Sequence, residues 1–560
     1  MNDLTAADPN TITGRSAFLS LLEGEGVDTL FGNPGTTELP IMDALREHPD
    51  MSYVLGMQES IVVAMADGYS RASGKLSACN VHVAPGLGNA MGSLYNAKFW
   101  GSPVLITAGQ QELGHGLTEP LLYDPLVPIA QPLVKWATEV SRLEDLPRIV
   151  RRAAKVALTP PTGPVFISLP GDILNNRAPL DLGEPTRVAT ATRPSDALLG
   201  ELADKLLSAK NPVIVAGHEV ATSDALTEAA ELAEVLGAPV YQQTVYYGAH
   251  YLSEHPAFLG PLSRDQRQAH DMLKDHDLMF VVGADVLRMS VWSPVDPLPD
   301  GMRIVQLGLN TWEMGKNYPT ELAVMSDVKE TLGPLNRLIA ERQGAAGRER
   351  AAFRLAAMAD RNWSAKRAQL REETLSKVGQ TPIDPDVLMM RVADALPTDA
   401  VVVDEGLITS RSLPQFFPFR DKGAFFGLAS GGIGFAIAGA VGINLALRDR
   451  PMCAVIGDGS AMYSVQALWT AANMKLPITY VIGNNRSYRI IKERLLAFHG
   501  NDHFVGMDFQ DPPINWVGLA ESLGVRGIRI ENDADVADAL KDGMRHDGPT
   551  LLDCSVADGF

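Results

Sequence analysis

The sequence predicts an α/β chain of three doubly wound, parallel-sheet domains, and three observations carry that expectation. With 560 residues, 46% of them apolar, the chain can fill several cores. Short apolar runs alternate with amphipathic helical stretches in three successive blocks, as parallel sheets with crossover helices require. A polar, proline-flanked stretch at 182–194 and a charged helical stretch at about 345–377 separate those blocks. Domains are therefore expected at 1–185, 195–345 and 375–560.

Taken in order, the first block carries strand-like runs at 29–31, 53–55, 103–107 and 164–168. The second carries 212–216, 239–241, 278–282 and 303–307, and the third 400–403, 453–456, 478–482 and 551–554. A helix is expected at 464–474, between two strands of the third block. No run of about 18 apolar residues is present, so a membrane span is not expected. Residues 1–15 lack the basic start and apolar block of a secretory signal. Cys79, Cys453 and Cys554 sit singly in apolar surroundings, which suits core thiols in a reducing cytoplasm. A net charge of −19 argues against a nucleic-acid partner.

The densest chemistry lies in the third block. Ile456-Gly457-Asp458-Gly459-Ser460 ends one buried strand, and Gly483-Asn484-Asn485 ends the next. Parallel strands joined by a helix present their carboxyl ends on one edge, so Asp458 and Asn485 can converge on a cation. Hard oxygen ligands suit Mg²⁺, which completes its shell with phosphate oxygens, and the amides of Gly459 and Ser460 would hold the same phosphates. Gly-Asp-Gly by itself is a common turn; the spaced Asn-Asn makes the signal specific.

This arrangement resembles the thiamine-diphosphate motif, and the likeness continues elsewhere. Phe31-Gly32-Asn33-Pro34-Gly35-Thr36-Thr37-Glu38-Leu39-Pro40 resembles the opening motif of benzoylformate decarboxylases. So do Gln58-Glu59-Ser60, Ala66-Asp67-Gly68-Tyr69 and the run from His82 to Gly92. Gly431-Gly432-Ile433-Gly434-Phe435 extends the match, which spans nearly the whole chain and is weakest in its middle. The resemblance places the chain among thiamine-diphosphate-dependent decarboxylases, with the domain order pyrimidine-binding, central and diphosphate-binding.

It also implies roles. Glu59 would hydrogen-bond the cofactor's aminopyrimidine, although an acidic residue in a helix's first turn is favourable without any such role. Ile433 would wedge the cofactor into its bent form, with the Gly431 carbonyl receiving the ring amine. A β-branched core residue is the plainer account of Ile433, but the flanking glycines permit close approach to a ligand. Ser487 would offer a backbone carbonyl to Mg²⁺ beside Asp458 and Asn485, and Tyr488 would complete the cofactor site. His82 would relay protons, and the Thr36 hydroxyl would meet the substrate carboxylate.

Several positions depart from the family pattern. Ser290 stands where a second histidine is expected, so His499 or His503 would have to replace it or protonation is managed otherwise. Gly427 and Arg494 replace pocket phenylalanines, exchanging apolar walls for space and a positive charge, unless Arg494 is simply solvated. Leu407 and Ile408 occupy positions of hydroxyl residues that bind diphosphate, a task Thr409 and Ser410 could assume. The expected reaction is non-oxidative decarboxylation of a 2-oxo acid to an aldehyde and CO₂. The alternative is a carboligase or carbon–carbon lyase like acetolactate synthase, whose relatives bind FAD in the central domain. The family implies a homo-oligomer, typically a tetramer of two dimers, with Glu59 and Asp458 of one site coming from different chains.

Overall fold

The computed structural model describes residues 10–559, in which three six-stranded, all-parallel sheets follow one another along the chain. The first contains Thr29–Gly32 (β1), Ser52–Leu55 (β2), Ser77–Val81 (β3), Val104–Gln110 (β4), Trp136–Glu139 (β5) and Val165–Pro170 (β6). Their spatial order is β2-β1-β3-β4-β6-β5. The central sheet contains Pro212–Ala216 (β7), Val240–Gln242 (β8), Phe258–Pro261 (β9), Leu278–Val282 (β10), Arg303–Gly308 (β11) and Leu322–Met325 (β12). Its order is β9-β8-β7-β10-β11-β12. The last contains Val401–Glu405 (β13), Phe425–Gly427 (β14), Met452–Gly457 (β15), Ile478–Asn484 (β16), Arg526–Ile530 (β17) and Thr550–Ser555 (β18). It runs β14-β13-β15-β16-β18-β17, the order of the first sheet repeated.

The long central strands β4 and β16 are buried along their whole length, as parallel strands covered on both faces must be. Strand β3 has no apolar run to announce it. Its Ser77 hydroxyl donates to the Ala66 carbonyl (2.8 Å) and its Asn80 amide to Thr107 (3.1 Å), so its polar groups are satisfied in the core. The edge strands β5 and β17 are mostly half-buried and carry a weak apolar signal for the same reason. The expected helix at 464–474 begins later, at Ala467–Asn473. The charged stretch forms two helices, Gly344–Ala356 and Trp363–Leu375, with the Asn362 side chain capping the second. Residues 182–194 carry no helix or strand.

Three helices fix the site. Glu59–Ser73 (α1) and Val83–Trp100 (α2) follow strands of the first sheet, and Phe435–Ala446 (α3) belongs to the last. Helix α3 is apolar all round and buried from Phe435 to Asn444, because α1 covers the side that its own sheet leaves free. The two helices approach through glycine. A Cβ on Gly68 would lie 2.3 Å from the Gly439 carbonyl oxygen, and one on Gly442 only 1.9 Å from that of Met65. One apolar cluster thus runs from Val62 and Ala66 to Ile437, Val441 and Tyr480, whereas the central sheet keeps a core of its own. Gly442→Ala should destabilise the protein by about 1–3 kcal/mol through this overlap. A lowered apparent melting temperature would show it. Gly333→Ala, on an uncrowded helical face, should leave that temperature unchanged or raised.

Candidate active site

The first sheet reverses its winding between β1 and β3, and ligands of open α/β sheets bind beyond the strand ends at such a point. Beyond β1 the chain turns through Thr36–Glu38, and beyond β3 it reaches His82. Glu38 is fully buried and accepts from the amides of Gly35 and Gly109, both at 2.9 Å, and from the Thr37 hydroxyl at 2.8 Å. Its other contact is His82 Nδ1 at 2.8 Å. A carboxylate on Nδ1 orients the ring and leaves Nε2 as the nitrogen for proton exchange. The ring also fills the space beside Gly35, where a Cβ would fall 2.1 Å from Nδ1. Thr36 is exposed in the same turn. Glu38 lies within the Phe31–Pro40 run without being singled out there; the buried acid three residues after Gly35 is the feature that links the two segments.

Glu59 opens α1 with only 8% of its surface exposed. Gln58 caps that helix by accepting from the amides of Ser60 (2.7 Å) and Ile61 (3.3 Å). The Glu59 carboxylate accepts from Asn89 Nδ2 at 3.0 Å and lies against Gly86, one turn into α2 from His82. Glu59 and His82 thus flank the first turns of α2.

The second cluster lies at the ends of β15 and β16, next to the point between β13 and β15 where the last sheet reverses. Gly457 and Gly483 pair across β15 and β16, so the residues after them emerge side by side. Asp458 is 2% exposed; its carboxylate accepts from the amides of Gly459 (2.8 Å) and Arg486 (2.6 Å). Asn485 Oδ1 accepts from the Ser487 amide at 3.1 Å, and Arg486 turns the loop in the left-handed region at φ 57°. Burial pushes the Asp458 carboxyl up to about 7 against those two amides, and the nearby Asp558 and Asp553 carboxylates add to the rise. Among the described residues no ion pair includes Asp458, so its charge is balanced by no side chain. No three His, Cys, Asp or Glu side chains gather to hold a metal among the described residues. One buried carboxylate, one amide oxygen and a loop of carbonyls is a donor set that fits Mg²⁺ sharing phosphate oxygens. Gly459 and Ser460 are buried beside Asp458. The Tyr488 ring stands edge-on to Phe509, centroids 5.0 Å apart, and covers Gly459, where a Cβ would meet it at 2.6 Å.

A glycine-rich loop before α3 adjoins both regions. Glu405, at the end of β13, accepts from the amides of Gly434 (2.5 Å) and Ala436 (2.7 Å) and so caps α3. From the other side Asn96 Oδ1 accepts from the amides of Ala429 (3.2 Å) and Ser430 (3.1 Å), while Gly432 rests on the Gly92 carbonyl. Ile433 is half-buried between these anchors, and Gly431 is exposed with open space where its side chain would be. Glu405 and Asn96 are functional candidates that the sequence reading missed, since neither belongs to a spaced motif. Leu407 and Ile408 are half-buried, with Leu407 at φ 51°. Thr409 packs over Gly483 and Ser410 hydrogen-bonds Asp404, which engages both hydroxyl residues within the domain.

Other candidates make none of these contacts. Ser290 is exposed and its amide donates to the Arg264 carbonyl at 3.0 Å. Arg494, His499 and His503 are exposed, Arg494 lying over the Phe498 ring at 5.8 Å. Gly427 opens no space: it is buried between Phe425 and Tyr247, and its carbonyl accepts from Arg71 at 3.0 Å. Among the described residues no hydrogen bond or ion pair joins the Glu59–His82 cluster to the Asp458–Asn485 cluster.

Comparison with known proteins places the chain in a family. The model of the N-terminal TPP binding domain of thiamine pyrophosphate enzymes matches residues 12–120, that of the central domain 199–335, and that of the C-terminal TPP binding domain 409–554. The chain belongs to the thiamine pyrophosphate enzymes. Within them it is 34% identical over 545 residues to benzoylformate decarboxylase of Pseudomonas aeruginosa, covering 97% of this chain and 98% of that one. The solved structure of a thiamine diphosphate-dependent 4-hydroxybenzoylformate decarboxylase from Rhodococcus jostii superposes with a TM-score of 0.86 at 32% identity, covering 98% and 99% of the two chains. A probable acetolactate synthase large subunit of Methanococcus aeolicus is 27% identical, covering 97% and 92%.

Burial pushes the Glu405 carboxyl up from 4.5 to about 7, against its backbone hydrogen bonds to Gly434, Ala436 and Phe435. A folded-state value above the unfolded one means that the native protein binds the extra proton, so this group adds stability as pH falls through about 7. Wild type should therefore gain melting temperature relative to Glu405→Gln on going from about pH 8 to about pH 5.5. An unchanged difference between the two proteins would show that Glu405 does not titrate there.

Proposed function

We propose that this enzyme decarboxylates an aromatic, benzoylformate-like 2-oxo acid without oxidation, using thiamine diphosphate and Mg²⁺, and releases an aldehyde and CO₂. The observation that carries the reading is the buried Glu38 carboxylate 2.8 Å from His82 Nδ1, which leaves Nε2 as a proton carrier beside the Thr36 turn. When bound, thiamine diphosphate supplies a nucleophilic carbon and a sink for the electron pair that CO₂ leaves behind. The protein's part is to hold, orient and protonate.

Glu59 holds a proton at the pyrimidine end, steadied by Asn89. Asp458, Asn485 and the Ser487 carbonyl would hold Mg²⁺ and the Ser460 amide the diphosphate, the Gly459 amide being taken by Asp458, while Tyr488 closes over Gly459. Ile433 and the Gly431 carbonyl support the cofactor between its ends. The Thr36 hydroxyl donates to the substrate carboxylate, and His82 delivers the proton that completes the aldehyde. Glu59 and Asp458 follow strands of different sheets, and among the described residues no hydrogen bond or ion pair joins their clusters, which favours a site completed by a second copy in a homo-oligomer. The three buried free cysteines suit the cytoplasm. The substrate class follows the benzoylformate and 4-hydroxybenzoylformate of the relatives' names.

A second reading is carboligation, in which an acceptor aldehyde takes the place of the proton. The exposed Ser290, which brings no imidazole, and the acetolactate synthase relative favour it. Measuring CO₂ release from aromatic, branched, linear and dicarboxylic 2-oxo acids, with and without an aldehyde, separates the two. Aromatic acids should release CO₂ without acceptor and yield the simple aldehyde; release that requires acceptor would establish the second reading. His82→Ala should slow turnover by about 10²- to 10⁴-fold with cofactor binding unchanged, and Glu38→Gln should reproduce part of that loss.

A further inference from the structure

Residues 556–558 return to the loop that follows Asn485 and meet a buried ammonium there. Strand β18 ends at Ser555; beyond it Val556 donates its amide to the Asn484 carbonyl at 3.0 Å, and the Ala557 amide donates to Ile383 at 2.9 Å. Asp558 is thereby delivered beneath the 485–488 loop. One of its carboxylate oxygens accepts from the Ser487 hydroxyl, and the other accepts from Lys492 Nζ at 2.7 Å. Lys492 lies on the helix Arg489–His499 (α4), is 3% exposed, and also donates to Asp508 at 2.6 Å. The segment around Asp508 pairs with the same loop: Tyr488 donates its amide to Met507 (2.8 Å) and Phe509 donates to Arg486 (3.0 Å).

Three parts of the chain distant in sequence therefore meet on Ser487. Its side chain is bound by Asp558, its neighbours are laced to 507–509, and Lys492 ties Asp558 to Asp508. The ammonium is buried, whereas Asp558 is half-buried and Asp508 exposed, and ion pairs reaching solvent in this way add little to stability. The arrangement is better suited to fixing one conformation. The loop it fixes carries Asn485 and Ser487 and has Arg486 at φ 57°, a backbone shape that needs support from its surroundings.

We propose that Asp558 is a positioning residue of the cation site. Through Ser487 and Lys492 it sets the Asn485–Tyr488 loop in the shape that presents the Asn485 amide oxygen and the Ser487 carbonyl. This rests on the reading above that Asp458, Asn485 and Ser487 hold Mg²⁺, and the experiment separates the two. Thiamine diphosphate binding is followed by quenching of tryptophan fluorescence while Mg²⁺ is titrated. Wild type, Asp558→Asn, Lys492→Met, the Asp558→Asn/Lys492→Met double variant and a chain ending at Ala557 are compared, each with a melting curve taken without cofactor.

The expected result is at least a tenfold rise in the Mg²⁺ concentration for half-maximal binding in every variant. The double variant should be no worse than the more affected single variant, because the two residues act as a unit. Cofactor-free melting temperatures should stay close to wild type, and saturating Mg²⁺ should restore binding. A wild-type Mg²⁺ dependence in the variants, with wild type itself binding cofactor, overturns the role of Asp558 and leaves the site reading standing. Lowered melting without a shifted Mg²⁺ dependence also overturns it, since that is the signature of a merely structural tail. Wild type that binds thiamine diphosphate with no dependence on Mg²⁺ overturns both.

Discussion

The contact between α1 and α3 is the constraint on which both halves of the candidate site depend. Gly68, Gly439 and Gly442 let two backbones approach to a distance no larger side chain permits, and around them lies a closed polar network. Asp67 is fully buried and accepts from Arg71 Nε (2.7 Å) and Nη2 (2.5 Å), from the Ser102 hydroxyl, and from Asn96 at 3.4 Å. Arg71 reaches across the domain boundary to the Gly427 carbonyl and stacks over Phe435, 4.2 Å from the ring centroid. An ion pair buried so deeply contributes little net stability, but removing one partner strands the other, at about 3–5 kcal/mol. The network is directional where the apolar contact is not. It fixes how α3 and the loop before it sit against the first domain, and hence where Ile433 stands.

The matching strand order of the first and last sheets explains why there are two loop clusters. Each sheet reverses its winding between its first and third strands, and each reversal opens a crevice at the strand ends. One crevice receives Glu38 and His82, the other Asp458 with the 485–488 loop beside it. Bulky residues in the left-handed region mark both: Val83 (φ 39°) directly after His82, Leu407 (φ 51°) after β13, and Arg486 (φ 57°) after Asn485. A β-branched valine in that region is strained, and strain of this kind persists where the surrounding structure over-determines it. The central sheet, wound in the order β9-β8-β7-β10-β11-β12, has a different crevice and takes no part in either cluster.

Much of this was legible from the sequence because it rests on local chemistry. Apolar runs bounded by glycine reported the buried strands, and Asp458 and Asn485 were recognisable because each ends such a run. Strand β3 was not, since its stability comes from side-chain hydrogen bonds that only the folded neighbours supply. The roles of Glu38, Glu405, Asn96 and Asp558 were invisible for a related reason. Each residue acts on a segment far away in sequence: Glu38 on Gly109, Glu405 on Gly434, Asn96 on Ser430 and Asp558 on Ser487. Spacing within one motif carries no trace of such pairings.

The structure also alters the argument about the substrate. In the sequence, Gly427 in place of an apolar wall promised space in the pocket, and Arg494 a positive charge. Gly427 is enclosed, with atoms of Phe425 and Tyr247 within 3.3 Å of where a Cβ would stand, and its carbonyl is engaged by Arg71. A side chain there would push apart the domain junction, so glycine at this position serves the Arg71 contact and creates no room. Arg494 is exposed and lies over the Phe498 ring, a contact between neighbours on one helix surface. With the space at Gly427 removed, and Arg494 exposed on the single chain just as Thr36 and Gly431 are, the polar chemistry at the first crevice is a hydroxyl at Thr36 and an imidazole held by Glu38. One can meet a carboxylate and the other can return a proton, the two tasks that the proposed decarboxylation asks of the chain itself.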